Sequence, residues 1–254
     1  MMRRALITLA VTLAAGCLVA GATALADTFI GTPAGDSLTG TSGPDQIYGE
    51  GGNDTMSGLA GNDYLEAGPG DDTVDAGSGL DLVIGGTGDD HIALGSGDDT
   101  TYAGPGADVI DGGPGRDQIF AQAGDDQIAG GSGNDSIFAG IGADRVDGGP
   151  GRDDIRSDGD GAVLFGGSGN DRIFARGLNV TIDGGAGDDT IVGGPGNDSI
   201  RGGSGVDSIS AGDGNDRIDS RDGRRDQVRC GAGNDVVRAD ASDVTVDCEQ
   251  VRRA

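Results

Sequence analysis

From Asp27 to Asp153 an aspartate falls at every ninth residue: Asp27, Asp36, Asp45, Asp54, Asp63, Asp72, Asp81, Asp90, Asp99, Asp108, Asp117, Asp126, Asp135, Asp144 and Asp153. Strict self-similarity at so short a period marks a repeat architecture, in which each unit buries its apolar face against its neighbours. Two residues after each aspartate lies an apolar side chain, from Phe29, Leu38 and Ile47 through Ile137, Val146 and Ile155, with Thr101 the one departure. Two residues before it, from Gly43 to Gly151, lies a glycine, and one or two more usually precede that one, as in Gly130-Gly131-Ser132-Gly133-Asn134-Asp135-Ser136-Ile137-Phe138. The unit is G-G-x-G-x-D-x-U-x, with U apolar. It continues through Asp171, Asp189, Asp198, Asp207 and Asp216, and then, after a one-residue insertion around Asp222 to Arg225, through Asp226 and Asp235.

Such a unit is half turn and half strand. Three glycines in six residues permit positive φ and a tight bend, while D-x-U-x sets one inward apolar residue between two outward neighbours, as a short strand requires. With successive strands on opposite sides of a flattened coil, one turn takes 18 residues and the U side chains of both sides meet inside. The expected fold is therefore all-β: a parallel β-roll, a solenoid with two short-stranded parallel sheets whose turns stack about 4.8 Å apart. Stacking also puts the aspartates in columns about 5 Å apart, where neighbouring charges repel by roughly 1 kcal/mol in water and about 3 kcal/mol at an effective dielectric near 20. The fold opposes itself unless cations intervene.

Composition sharpens that conflict. The chain has 54 Gly, no Trp, eight aromatic residues, no Lys and a formal charge of −26. Nucleic acid and anionic membrane surfaces are poor partners for such a polyanion. Between Asp27 and Gly115 there are 17 acids and no Arg; fifteen of the 17 arginines lie at Arg116 or beyond.

The nonapeptide is the signature of the calcium-binding repeat of RTX proteins, and the chain resembles that family, also called haemolysin-type calcium-binding, over nearly all of residues 27–254. Calcium suits the unit physically, because it takes six to eight oxygens and these loops offer carboxylates together with carbonyls freed by the glycines. Binding is then expected to be coupled to folding. The resemblance implies several ions, each between two loops on one edge of the roll and held by position-six carboxylates and glycine-turn carbonyls. Here those carboxylates are Asp45, Asp54, Asp63, Asp72, Asp81, Asp90, Asp99, Asp108, Asp117, Asp126, Asp135, Asp144, Asp153, Asp171, Asp189, Asp198, Asp207 and Asp216. Asp27 and Asp36 are weaker candidates because Pro33, Ala34 and Gly35 distort the first loop. An aspartate can also simply cap its own turn.

Two departures are informative. The register expects acids at 162 and 180 but meets Ala162 and Val180, while Leu164 and Ile182 hold the U positions. These gaps are 18 apart, which predicts an interrupted column on one edge beside an intact one opposite. Cys230 and Cys248 are also 18 apart. One turn of separation brings their Cα atoms inside the range of about 4.4 to 6.8 Å for a disulfide, and the bond is expected to staple the last turn.

At the start of the chain, basic Met1 to Arg4, apolar Ala5 to Ala20 and Ala24-Leu25-Ala26 form the three parts of a secretory signal peptide, so residues 1–26 are expected to leave and the protein to be extracellular. The apolar run is shorter than a membrane span of roughly 20 residues. Ala14-Ala15-Gly16-Cys17 resembles a lipoprotein processing site, a lesser alternative because Ala14 stands where Leu is usual. The expected organisation is 1–26 leader, 27–220 β-roll and 221–254 irregular closing cap.

The residue after U reads, on one sheet, Tyr48, Glu66, Ile84, Tyr102, Phe120, Phe138, Arg156, Phe174, Val192; on the other it reads Thr39, Ser57, Asp75, Ala93, Asp111, Ala129, Asp147, Phe165, Asp183. Contiguous exposed apolar residues often mark partner sites, so Tyr48, Ile84, Tyr102, Phe120, Phe138 and Phe174 are candidates for self-association or for binding an extracellular polymer. Stacked aromatics also stabilise neighbouring strands without any partner. No His-Glu-x-x-His, G-x-S-x-G or phosphate loop is present, and His91 is the lone histidine. The sequence thus points to a secreted, non-catalytic module that folds on calcium and acts structurally or adhesively. A polysaccharide-acting enzyme on a β-helix is the alternative, because adjacent acids such as Asp71-Asp72 could imitate a glycosidase pair.

Overall fold

A computed structural model describes residues 26–253. The expected leader, with Cys17, lies outside the described residues except for Ala26. The described chain contains 26 strands and no helix, and so no helix long and apolar enough to cross a membrane. Odd-numbered strands form one 13-stranded sheet and even-numbered strands a second. Every pairing between strands is parallel and joins elements one turn apart: Ile47 faces Leu65, Leu65 faces Val83, and Ile128 faces Val146. The β-roll expected from the nine-residue period is the fold observed, with 18 residues per turn over most of its length.

The insertion falls where the sequence places it. Ile209 pairs with Val228 and Ile218 with Val237, steps of 19 residues, after which Val228 pairs with Thr245 and Val237 with Val251 as the last turn shortens. Between the sheets, Ile47, Leu65, Val83, Ile92, Ile119, Ile137, Leu164 and Ile173 are wholly buried, and Thr101 occupies its U position equally buried. A second inward position two residues after U holds small side chains such as Ala67, Ala103, Ala121 and Ala139. Large residues at one row and small ones at the next let the two sheets close over a thin core.

Each bend requires left-handed backbone. Gly77 and Gly79 have φ of 105° and 152°, and a side chain on Gly79 would collide with the Gly61 carbonyl one turn away. Glycine therefore serves both backbone conformation and the close approach of stacked turns. Cys230 and Cys248 are joined, with Cα atoms 5.2 Å apart, so the expected staple is present.

Candidate metal centres along the two edges

The turns bring the position-six aspartates into two columns. One runs from Asp45 through Asp63, Asp81 and onward to Asp226 and Asp243; the other runs from Asp36 through Asp54 to Asp144, meets Ala162 and Val180, and resumes at Asp198, Asp216 and Asp235. From Asp45 to Asp235, every one of these aspartates is almost fully buried, with Asp117, Asp144 and Asp226 at 0% exposure.

The two carboxylate oxygens of each residue differ in role. From Asp54 onward Oδ1 accepts a hydrogen bond from the backbone N–H of the equivalent residue one turn earlier: Asp45 N–H to Asp63 at 2.8 Å, Asp54 N–H to Asp72 at 2.7 Å, Asp189 N–H to Asp207 at 3.0 Å. Oδ2 is different. In sixteen of the eighteen aspartates named from sequence, and in Asp226 and Asp235, it is buried and has no hydrogen-bond partner. The two exceptions are Asp45, whose Oδ2 accepts from the Thr41 N–H at 2.6 Å, and Asp144, whose Oδ2 accepts from the Ser157 hydroxyl at 3.4 Å. Asp36 is partly exposed and its Oδ2 is held by the Thr32 N–H at 2.6 Å, in keeping with its weaker claim.

An orphaned, buried carboxylate oxygen is costly, and the titration behaviour registers it. Burial pushes Asp81, Asp90, Asp117, Asp126, Asp153, Asp189 and Asp198 up to about 7, overcoming the backbone N–H bond that pulls the other way, and neighbouring acids add to the rise. Asp226 is pushed up to about 6 for the same reasons. The fold holds these groups in a place where they do not ionise comfortably by themselves.

Oxygens of two kinds converge there. A side chain placed on Gly148 would meet the Oδ2 of Asp153 at 2.7 Å and the Gly166 carbonyl oxygen at 2.6 Å; on Gly130 it would meet the Oδ2 of Asp135 and the Gly148 carbonyl at 2.9 and 2.7 Å. Glycine keeps a carboxylate oxygen and a next-turn carbonyl oxygen facing one small space. Among the described residues no three His, Cys, Asp or Glu side chains gather as a metal cluster, so a cation here would draw the rest of its ligands from backbone carbonyls. An all-oxygen set of carboxylates and carbonyls is the chemistry of a hard divalent ion such as calcium.

Sequence reasoning missed how the columns end. Asp226 N–H donates to Asp243 at 3.1 Å and Asp235 N–H to Glu249 at 3.0 Å. These acids stand 17 and 14 residues after their predecessors, off the nine-residue register. A second ladder was also missed, at position five on the outer bends. There the Oδ1 of Asn62 accepts from the Leu80 N–H, that of Asp98 from the Arg116 N–H and that of Asn197 from the Asn215 N–H. Its polarity is opposite to the inner ladder, since each side chain serves the following turn.

On the outward face of the first sheet, Tyr48, Ile84, Tyr102, Phe120, Phe138 and Phe174 lie in one row. Tyr102 stacks on Phe120 with ring centroids 4.8 Å apart, Phe120 stacks on Phe138 at 4.9 Å, and the Arg156 guanidinium lies 5.0 Å from the Phe138 centroid. The faces of Tyr102, Phe120 and Phe138 are engaged with one another, so a partner would meet the edges of these three rings.

A family model described as RTX calcium-binding nonapeptide repeat, four copies, matches the chain in abutting or overlapping stretches that run without a break from residue 30 to residue 226. No curated protein matches it.

Proposed function

Because the chain belongs to the family of RTX calcium-binding nonapeptide repeats, we propose that it is an extracellular module that folds on calcium, with a structural or adhesive role and no catalysis of its own. Binding of several calcium ions follows from the family. The finer reading assigns the ions to the two edge columns, to Asp54 through Asp135, Asp153, Asp171, Asp189, Asp198, Asp207 and Asp216, with Asp45 and Asp144 at the column irregularities. It also takes residues 27–220 as the coil and 221–254 as its disulfide-closed cap. One observation carries it: eighteen buried aspartate Oδ2 atoms without a partner. When bound, the ion supplies the positive charge that lets stacked carboxylates ionise together. The chain's own residues set the spacing, exclude water and fix Oδ1 through the preceding turn. The leader expected from the sequence and the disulfide support an oxidising destination outside the cell.

Far-UV circular dichroism of residues 27–254 tests this, in excess chelator and then through calcium up to about 10 mM, a range that covers extracellular modules. The expected result is a cooperative coil-to-β transition that magnesium does not reproduce. A β spectrum already complete in chelator overturns the reading; turnover of acidic glycans by the purified chain would restore the enzyme alternative.

A further inference from the structure

The outward face of the second sheet changes sign along the solenoid. Its central row pairs turn by turn as Ser57, Asp75, Ala93, Asp111, Ala129, Asp147, Phe165, Asp183, Arg201, Asp219, Arg238 and Arg252. Acids alone are charged in the first half and arginines dominate the end. Arg201 and Arg238 are exposed, and Arg238 has no carboxylate within ion-pair distance among the described residues, nor do Asp75 and Asp111 meet a cation. Two shallow hollows of about 570 and 580 Å³ flank Phe165, Asp183 and Arg201.

We propose that two copies of this chain pack second sheet to second sheet with their solenoid axes antiparallel, related by a two-fold axis that lies along the strands between Asp147 and Phe165. That operator keeps the central row opposite itself and reverses its order. Asp111 then faces the partner's Arg201 and Asp75 faces the partner's Arg238. Asp183 and Asp219, which already hold Arg201 at 3.5 Å and Arg221 at 2.6 Å within their own chain, face the partner's Ala129 and the partner's Ala93 and so meet no like charge. At the centre, Asp147 of one copy approaches the partner's Phe165, over which the partner's Arg145 guanidinium lies at 4.7 Å. The other face-to-face two-fold, along the solenoid axis, sets each turn against itself and brings Asp75 onto Asp75 and Arg238 onto Arg238, which like-charge repulsion disfavours. Thirteen strands, each sharing a flat stretch of about three residues, make a face of roughly 60 by 10 Å, or about 1,200 Å² for the pair, the low end for a specific interface. The metal columns lie on the edges and stay clear of it.

Sedimentation velocity on the calcium-saturated chain tests the arrangement. At about 50 mM salt a dimer is expected at micromolar concentration, with its dissociation constant rising about tenfold or more by about 500 mM salt as the charge pairs are screened. Arg201→Glu with Arg238→Glu is expected to give a monomer, and so is Asp75→Arg with Asp111→Arg. An equimolar mixture of the two variants restores a dimer, because every reversed charge then finds its complement, and the fourfold variant dimerises with itself. Dichroism in calcium checks that each variant is folded. A wild-type chain that stays monomeric at about 100 μM and low salt, or a dimer indifferent to charge reversal, overturns the proposal. Capture of an acidic polysaccharide by the arginine end of a monomeric chain would overturn it in favour of a polymer ligand.

Discussion

The two edges of the roll are built from one nine-residue unit, yet only one keeps an acid at every turn. On the continuous edge, Asp153, Asp171 and Asp189 follow one another with the same N–H to Oδ1 bonds of 2.8 Å. On the other edge the corresponding turns present Ala162 and Val180, buried to 0% and 1% exposure. The core does not register the change, since Leu164 and Ile182 remain buried and the strands stay in register. The U position and position six are therefore separable parts of the repeat: the core continues where the acid is missing. An apolar side chain at position six is accepted without breaking the coil, because it buries no charge that needs compensation.

Loss of the continuous column where its partner is already broken should do most damage. Asp171→Ala with Asp189→Ala leaves adjoining turns with no position-six acid on either edge, and the calcium midpoint of the dichroic transition is expected to rise about tenfold, equivalent to about 1.4 kcal/mol. The transition should also split into two steps as the coil on either side folds separately. Asp108→Ala with Asp126→Ala, beside an intact opposite column, should shift the midpoint by only about two- to threefold. Equal shifts for the two pairs would show that the edges do not compensate for each other.

Repair of the broken edge is the converse experiment. Val180→Asp restores a carboxylate above Asp198, whose Oδ1 already accepts the residue 180 N–H at 2.9 Å. At subsaturating calcium, with the coil folded but this position empty, the added carboxylate should cost about 1–3 kcal/mol, the usual cost of an unpaired buried polar group. In calcium, native mass spectrometry should count one more ion. An unchanged ion count would mean that the loop at this turn lacks the carbonyl geometry of its neighbours.

Acidity acts on both edges alike, since Asp81, Asp117 and Asp189 on one and Asp90, Asp126 and Asp198 on the other are all pushed up to about 7. Carboxylates whose folded values are raised to about 7 favour the ion-free fold when protonated. Below about pH 4 the folded and unfolded chains both carry the proton and there is no penalty. As pH rises from about 4 to about 7 only the unfolded chain ionises, and stability is lost across that window. The calcium-free chain should thus show more β structure near pH 5 than near pH 7.5, while calcium affinity falls over the same descent because protons compete for Oδ2. Less β structure at pH 5 would contradict the assignment of these aspartates as uncomfortable anions.

The smallest expected effect belongs to the outer ladder, which involves no ion. Asn197→Ala removes the acceptor of the Asn215 N–H and of its side-chain amide, at 2.9 and 3.1 Å, and should cost about 1 kcal/mol in thermal or denaturant unfolding. Its calcium midpoint should move only in proportion. A larger calcium effect would mean that the outer ladder also shapes the metal loops.

The sequence alone determined the coil, its 18-residue turn, the U residues of the core, the break at Ala162 and Val180, the one-residue insertion and the pairing of Cys230 with Cys248. All of these follow from period, because a strict repeat gives neighbouring turns identical surroundings. What only the tertiary structure decided is which atom meets which. Oδ1 is satisfied by the preceding turn while Oδ2 is left buried without a partner. Thr41 and Ser157 quiet Asp45 and Asp144, and Asp243 and Glu249 finish the columns off register. Tyr102, Phe120 and Phe138 stack face to face, and Asn and Asp at position five form a ladder of opposite polarity. These depend on the distance and direction between stacked turns, set by how the two sheets close over their shared core, and a one-dimensional period carries no record of that third dimension.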